Sequence, residues 1–483
     1  MTCFLDLPVE IVPLLLSHSP KPQQLADASL VNTTFNTFAI PLLYRRISIY
    51  AWHKQSKTKV INLFTTLADH AHLAQHVRRL EVRDFPKRAT GSDDATISLV
   101  VRGLQHCTNL LSCSWTRDGT LGSEILETLC NLPNLREIEL NGRSQGQYDP
   151  AILGRFKGLT KVTLIMPSSV VLSELANMLA ASPLRHLTII CKSSPVLNDR
   201  VLCSLAPSLA HLEELYLTGC PKVTEAGVRA VLNINANGIR GLGLEGVSPR
   251  FNMASFAEQC TNNHLLHRLA AITVTPSLSR QPQSWSESII TLLQRSPIER
   301  FQVYAGSDLP FITDGFYGRT VFEAIKPLVK DLVWAHGPRL KHFSVHRIPL
   351  NLSSINTLIH GCPNLEELFL CVEPTDLDAL PNSLRLCQKL RTVHINYPIH
   401  RGEILYHEEG TEVESAGKEL SPAHALDFAQ RCGPTLMQFG CNTKVWNVGR
   451  TIEVDATGRK LANKCLLPYE SQDIPEQFLV VRA

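Results

Sequence analysis

The sequence is short of what most chemistries need. Its 14 cysteines contain no CxxC pair. It has no HExxH, no GxSxG and no Walker loop, which removes the common zinc, hydrolase and nucleotide signatures. It has no basic run, and 47 Lys and Arg against 44 Asp and Glu leave a net charge of only +3. That is too little to draw nucleic acid or an anionic membrane. No apolar stretch approaches the ~18 residues of a spanning helix. Residues 1–20 hold Asp6 and Glu10 but no Lys or Arg, so the positive start of a secretion signal is missing. The expectation is a reduced compartment, cytoplasmic or nuclear, with free thiols packed as small apolar side chains. The sequons Asn32-Thr-Thr and Asn351-Leu-Ser are then chance matches.

Weak motifs are explained more simply. Gly241-Leu-Gly243-Leu-Glu-Gly246 fits GxGxxG, but its glycines alternate with Leu242 and Leu244 as in a strand, not a phosphate loop. Among 18 histidines the closest pairs, His70/His72 and His342/His346, have no third ligand at standard spacing. Glu213-Glu214 and Glu366-Glu367 are adjacent on strands and so point to opposite faces. The reading is a non-enzyme with no metal and no cofactor.

What is present is a phrase, apolar-x-x-apolar-x-apolar. Clean copies begin at Leu135, Leu159, Leu184, Leu212, Leu365 and Leu390. Neighbouring copies lie 24, 25, 28 and 25 residues apart. Weaker copies begin at Val77, Leu110, Ile239, Leu266, Ile298, Leu340 and Leu436. Turns such as Leu132-Pro133-Asn134 and Cys362-Pro363-Asn364 precede several of them. Between phrases, apolar residues recur at spacings of three and four, as in Leu172–Leu179. A strand, a turn and a helix at a period of ~20–29 residues is the leucine-rich-repeat pattern. The predicted fold is α/β, a leucine-rich-repeat horseshoe of the ribonuclease-inhibitor type. Two long gaps, near 304–327 and 401–417, are predicted to loop off the solenoid.

Residues 1–50 do not fit the phrase. They read Leu5-Asp-Leu-Pro-Val-Glu-Ile, then Ser29-Leu-Val-Asn-Thr-Thr-Phe35, then Pro41-Leu-Leu-Tyr-Arg45. Asp6 is placed to cap a helix with Pro8 in its first turn. A second helix is expected around Leu25 and Ala28, and Pro41 is expected to open a third. These three pieces resemble an F-box. An F-box followed by leucine-rich repeats is the layout of the F-box/leucine-rich-repeat proteins, numerous in basidiomycete fungi. The resemblance implies a substrate-recognition subunit of an SCF-type cullin–RING ubiquitin ligase. Leu7, Pro8, Ile11, Leu14, Leu15, Leu30, Val31 and Phe35 would then meet a Skp-type adaptor. Pro13 departs from the pattern. Inside a helix it costs ~3 kcal/mol, so the helix kinks there or a new one starts at Pro13.

The expected domains are 1–50, an F-box-like helical segment; 51–445, the repeats; and 446–483, a C-terminal cap. On each strand the residues between the phrase's apolar positions would line a concave surface of mixed charge. Its large members Tyr216, Tyr304 and Phe369, with His394, are the candidate contacts to a substrate protein. The alternative is a leucine-rich-repeat scaffold that engages no ligase.

Overall fold

The computed structural model describes residues 8–18, 21–86, 94–235, 237–276, 282–305, 316–397, 420–454, 460–469, 471, 473 and 474. It divides into two units, Met1–Asn237 with Glu470–Asp473, and Gly238–Tyr469 with Ile474–Ala483. Each is mixed α/β and built by the same repeat.

The first unit opens with helices α1 (Ile11–Ser17), α2 (Pro22–Ser29) and α3 (Thr33–Arg45). Strands β1 (Arg46–Ile49), β2 (Arg79–Val82), β3 (Ser112–Trp115), β4 (Glu137–Asn141), β5 (Lys161–Ile165), β6 (His186–Ile190) and β7 (Glu214–Thr218) follow. Each pairs in parallel with the next. Parallel neighbours need a crossover, and the stretches between strands supply it, mostly as helices such as Ser56–Asp69, Ser169–Ala180 and Glu225–Ile234.

The second unit repeats the scheme. Strands β8 (Gly241–Glu245), β9 (Ala271–Val274), β10 (Arg300–Tyr304), β11 (His342–Pro349), β12 (Glu367–Cys371), β13 (Thr392–Asn396) and β14 (Gln438–Cys441) are parallel in chain order. Then the sheet changes sense. β15 (Lys444–Val454) and β16 (Lys460–Pro468) form an antiparallel hairpin on β14. Lys464 Nζ donates to the carbonyls of Ala429, Cys432 and Gly433 at 2.8–2.9 Å. It satisfies the bare C-terminal end of the Pro422–Arg431 helix.

The phrase is the core. In all six clean copies every apolar position is at most 2% exposed. Ile138, Val162, Leu187 and Leu215 stand in register on β4 to β7, so each aliphatic side chain packs on its counterpart one coil away. One such Leu→Ala costs ~2–5 kcal/mol. Polar residues fix the coil spacing. Asn109, Asn134 and Asn364, each just before a phrase, donate Nδ2 to the carbonyls of Gln75, Thr108 and Pro338 on the preceding coil at 2.7–3.0 Å.

Several expectations need correction. The copy placed at Leu266 begins at Leu269, because Ile272 and Val274 pair with Leu242 and Leu244. The ladder starts earlier than residue 51, since Tyr44-Arg-Arg-Ile47-Ser-Ile49 is itself a copy and β1 pairs with β2. Pro41 lies inside α3 and opens nothing; burial of Ala39 with Leu42 and Leu43 packed alongside carries the helix through it. Pro13 neither kinks α1 nor starts a helix. α1 begins at Ile11, so Pro13 falls in the first turn, where its missing N–H has no helical partner to lose. Half of the segment expected to loop off near 304–327 is helical, within Phe316–His336, and Tyr304 ends β10. Residues 401–417 and Asp6 lie outside the described residues. Both sequons have a structural reason: Asn32 and Asn351 are helix caps, their Oδ1 atoms accepting from Phe35 N and Ser354 N at 2.9 Å.

Candidate functional site

Two surfaces hold the residues that the sequence singled out. The first is α1–α3. Val12, Leu16, Leu25 and Ala39 close a small core, with Ala28, Phe35, Phe38, Leu42 and Leu43 packed against it. Val12 and Leu16 are four apart and share one face of α1. Leu14 and Leu15 therefore turn outward, 60% and 48% exposed. Leu30 and Val31 form the turn between α2 and α3 and are 84% and 63% exposed. That turn is held from both sides. Leu30 N and Val31 N donate to Asp27 O and Ala28 O at 3.1 and 3.2 Å, and Asn36 Nδ2 donates to Ser29 O at 3.0 Å. Pro8 is exposed, Ile11 and Phe35 are half-buried, and Leu7 lies outside the described residues. Val9, which the sequence reading passed over, is 53% exposed.

The second surface is the inner row of the strands. In the first unit its charges are matched to one another. Glu81, 2% exposed on its side chain, accepts from Arg79 Nε at 2.8 Å, Arg46 Nη2 at 3.0 Å and the Tyr50 hydroxyl at 3.2 Å. Arg83 donates to both carboxylate oxygens of Glu139 at 2.9 and 2.7 Å, and Ser114 Oγ adds a third bond to Glu139 at 2.9 Å. Two planar bonds from one guanidinium hold direction as well as charge. Further along, Thr163, Thr188 and Tyr216 are half-exposed, and His186 Nδ1 lies 3.0 Å from Glu214.

In the second unit the same row is closed. Tyr304, Phe369 and His394, expected to face a partner, are 8%, 2% and 0% exposed. They belong to a stack of rings. Tyr304 stacks on His346 at 4.5 Å between centroids, His346 lies 6.1 Å from Phe369, and Phe369 lies 6.3 Å from His394. The register brings them together, since Tyr304 pairs with His346 and Phe369 with His394. Of the four residues proposed for substrate contact, only Tyr216 is half-exposed.

Beside the stack runs a chain of hydrogen bonds from β9 to β12. Thr273 Oγ1 donates to Gln302 Oε1 at 2.7 Å. Gln302 Nε2 donates to His342 Nε2 at 3.1 Å. His342 Nδ1 donates to Glu367 Oε2 at 2.5 Å, and Arg300 reaches the same oxygen at 3.2 Å. The hydrogen bond from His342, with the nearby charges, holds the Glu367 carboxyl below its ordinary range. Burial holds His346 at about 3 and His394 at about 4, so both rings are neutral at pH 7. His394 Nε2 donates to Asn442 O at 3.0 Å. Its Nδ1 has no hydrogen-bond partner among the described residues and lies over Gly440, where any Cβ would collide with it.

Ser344 Oγ and His346 Nε2 share a hydrogen bond of 2.5 Å. Ser344 is 0% and His346 4% exposed, so this pair is a fixed element of the packing and not a nucleophile facing a substrate. Among the described residues no group of three or more His, Cys, Asp or Glu could hold a metal ion, and no helix is long and apolar enough to cross a membrane.

No family model matches the sequence, and no curated protein matches it. Among solved structures, a chain of the Rad7 and Elc1 complex in yeast is similar over 86% of this chain and 97% of that one, with 13% identity and a TM-score of 0.38.

Proposed function

We propose that the protein is a substrate-recognition subunit of an SCF-type cullin–RING ubiquitin ligase, an F-box followed by a leucine-rich-repeat horseshoe and without catalytic activity of its own. One observation carries the reading. The N-terminal segment separates its apolar residues into two sets, and the outward set includes Leu14, Leu15, Leu30 and Val31, four of the eight residues that the F-box resemblance assigns to the adaptor. Val12, Leu16 and Leu25 close the core, while Leu14, Leu15, Leu30 and Val31 stay out at 48–84% exposure. Large apolar side chains held outward by packed helices and a bonded turn are what an interface needs as anchors. Pro13, in the first turn of α1, puts no break in that helix. The repeats would hold the substrate protein by the inner row of the first unit, where Tyr216 is half-exposed.

Co-purification with a Skp-type adaptor tests this. Wild type retains the adaptor; Leu14→Glu with Leu30→Glu weakens it more than ~30-fold, since each lost anchor is worth ~2 kcal/mol or more, with helix content unchanged. If wild type retains no adaptor, the segment serves the repeats alone and the protein is a scaffold that engages no ligase.

A further inference from the structure

The sequence has no basic run, yet the fold of the first unit builds a basic cluster. Two arginine pairs, Arg45-Arg46 and Arg78-Arg79, are separated along the chain. The ladder lays them side by side: Arg46 pairs with Arg79 across β1 and β2, and Arg78 N donates to Arg45 O at 3.0 Å. Arg45, Arg78 and Arg79 are exposed. On the inner row the balance of charge is incomplete here. Glu81 takes hydrogen bonds from Arg46 and Arg79, and Glu139 takes both from Arg83. Three guanidiniums against two carboxylates leave one positive charge. Asp473, which belongs to the first unit, meets that charge. Its Oδ1 lies 2.6 Å from Arg46 Nη1.

The two sides of Arg46 are held unequally. Its Nε and Nη2 are fixed on Glu81 at 3.2 and 3.0 Å, and that carboxylate is 2% exposed on its side chain. Asp473 is 69% exposed, so its bond is one that solvent and salt weaken. A guanidinium fixed from behind loses little freedom when a carboxylate arrives in front. Arg79 is poised in the same way. Its Nε is on Glu81 at 2.8 Å, its side chain is 47% exposed, and its two Nη atoms make no hydrogen bond among the described residues.

We propose that Arg46 and Arg79 are a docking site for an acidic peptide segment of a partner protein, and that Asp473 of this chain holds the site until the partner displaces it. This rests on the role given above to the inner row of the first unit and names the chemistry of what it holds; it requires no adaptor. A partner carboxylate replaces Asp473 on Arg46 and reaches the Nη atoms of Arg79 on the next strand, ~4.8 Å away. Arg45 and Arg78 add charge at the same edge, within the ~8–10 Å that salt leaves unscreened. The whole-chain charge of +3 is small, so the attraction is local to this cluster.

The test reads fluorescence anisotropy of a labelled peptide, Leu-Pro-Tyr-Glu-Ser-Gln-Asp-Ile-Pro-Glu-Gln-Phe, the sequence of residues 467–478, on the folded full chain without adaptor. Asp473→Asn in the chain, which vacates the site, is expected to tighten binding ~2–5-fold, the worth of one exposed ion pair. Arg79→Gln is expected to weaken it at least ~5-fold, and Arg79→Lys to recover part of the loss. Glu81 keeps Arg46 and Tyr50 in the Arg79→Gln chain, so the fold holds. Arg185→Gln, at an arginine exposed elsewhere in the same unit, is expected to change nothing. A Gly/Ser peptide with Asp at the same three acidic positions is expected to displace the probe. The proposal falls if a probe carrying Glu470→Gln, Asp473→Asn and Glu476→Gln binds as well as the acidic one, if Arg185→Gln costs as much as Arg79→Gln, if the Gly/Ser peptide does not compete, or if neither wild type nor the Asp473→Asn chain binds the probe. The neutral probe decides on wild type alone, and a chain that binds the acidic probe but retains no adaptor keeps this site while losing the ligase.

Discussion

The inner rows of the two units come from one phrase and one register yet differ in what they leave open. In the first unit Lys161 is exposed, and Thr163, Thr188 and Tyr216 are half-exposed. Arginines and carboxylates there neutralise one another through Glu81 and Glu139. In the second unit Gln302, His342, Ser344, His346, Phe369 and His394 are all at most 7% exposed. Small and β-branched residues on adjacent strands leave gaps that solvent enters, whereas rings in register cover one another. The repeat therefore decides which side of a strand meets the core. The residue types at the remaining positions decide whether the other side is a surface.

The sharpest way to break this contrast is to truncate one ring in each unit. Phe369→Ala should cost ~3–5 kcal/mol in urea unfolding, because Phe369 is 2% exposed. Tyr216→Ala should cost ~1 kcal/mol or less and leave the fold intact. Equal costs would mean that the two rows are the same kind of surface.

Acid should separate the units next. Burial holds His336 at about 4, His346 at about 3 and His394 at about 4. The unfolded chain takes up these protons near pH 6.5 and the fold does not. Stability is thus full above that pH and is lost as pH falls from about 6.5 to about 4, by ~1.4 kcal/mol per pH unit for each such histidine. Burial raises Glu245 to about 7, so this one group works against the trend between its unfolded value and 7. The three histidines outweigh it. Urea midpoints at pH 7 and pH 5 would show the loss, and a flat profile would mean that water reaches the rings.

Gly440→Ala should cost ~1–3 kcal/mol, since the new methyl meets the His394 ring. His394→Ala in the same chain should make that methyl cost less, a coupling that a double-mutant cycle measures. The smallest effect belongs to the first unit. Asp473, 69% exposed on its side chain, pairs with Arg46 at 2.6 Å. Asp473→Asn should change stability by less than ~1 kcal/mol in thermal unfolding, because Glu81 still holds Arg46.

Much of the fold was legible because the period does not depend on context. Leu187, Leu215 and Leu368 had to face inward, and they are 0% exposed. The copy put at Leu266 slipped by three residues because Leu266, Leu269 and Ile272 are all apolar and only pairing with β8 chooses among them. Pro13 looked like a helix breaker because the start of α1 cannot be placed by composition alone; the shift of four residues from Leu7 to Ile11 moves it into the first turn. The outward pairs Leu14/Leu15 and Leu30/Val31 could be named from the F-box resemblance. Their exposure required knowing which face of α1 packs on α2 and α3.

The amino-acid sequence by itself determined the repeat, the α/β class and the absence of familiar catalytic motifs, because each of these is written in the spacing of residues along the chain. Only the tertiary structure decided that Tyr304, His346, Phe369 and His394 stack out of solvent and that Lys464 closes a helix end. The stacked rings lie between 23 and 90 positions apart, and nothing local specifies a contact that forms only when one coil is laid in register on the next.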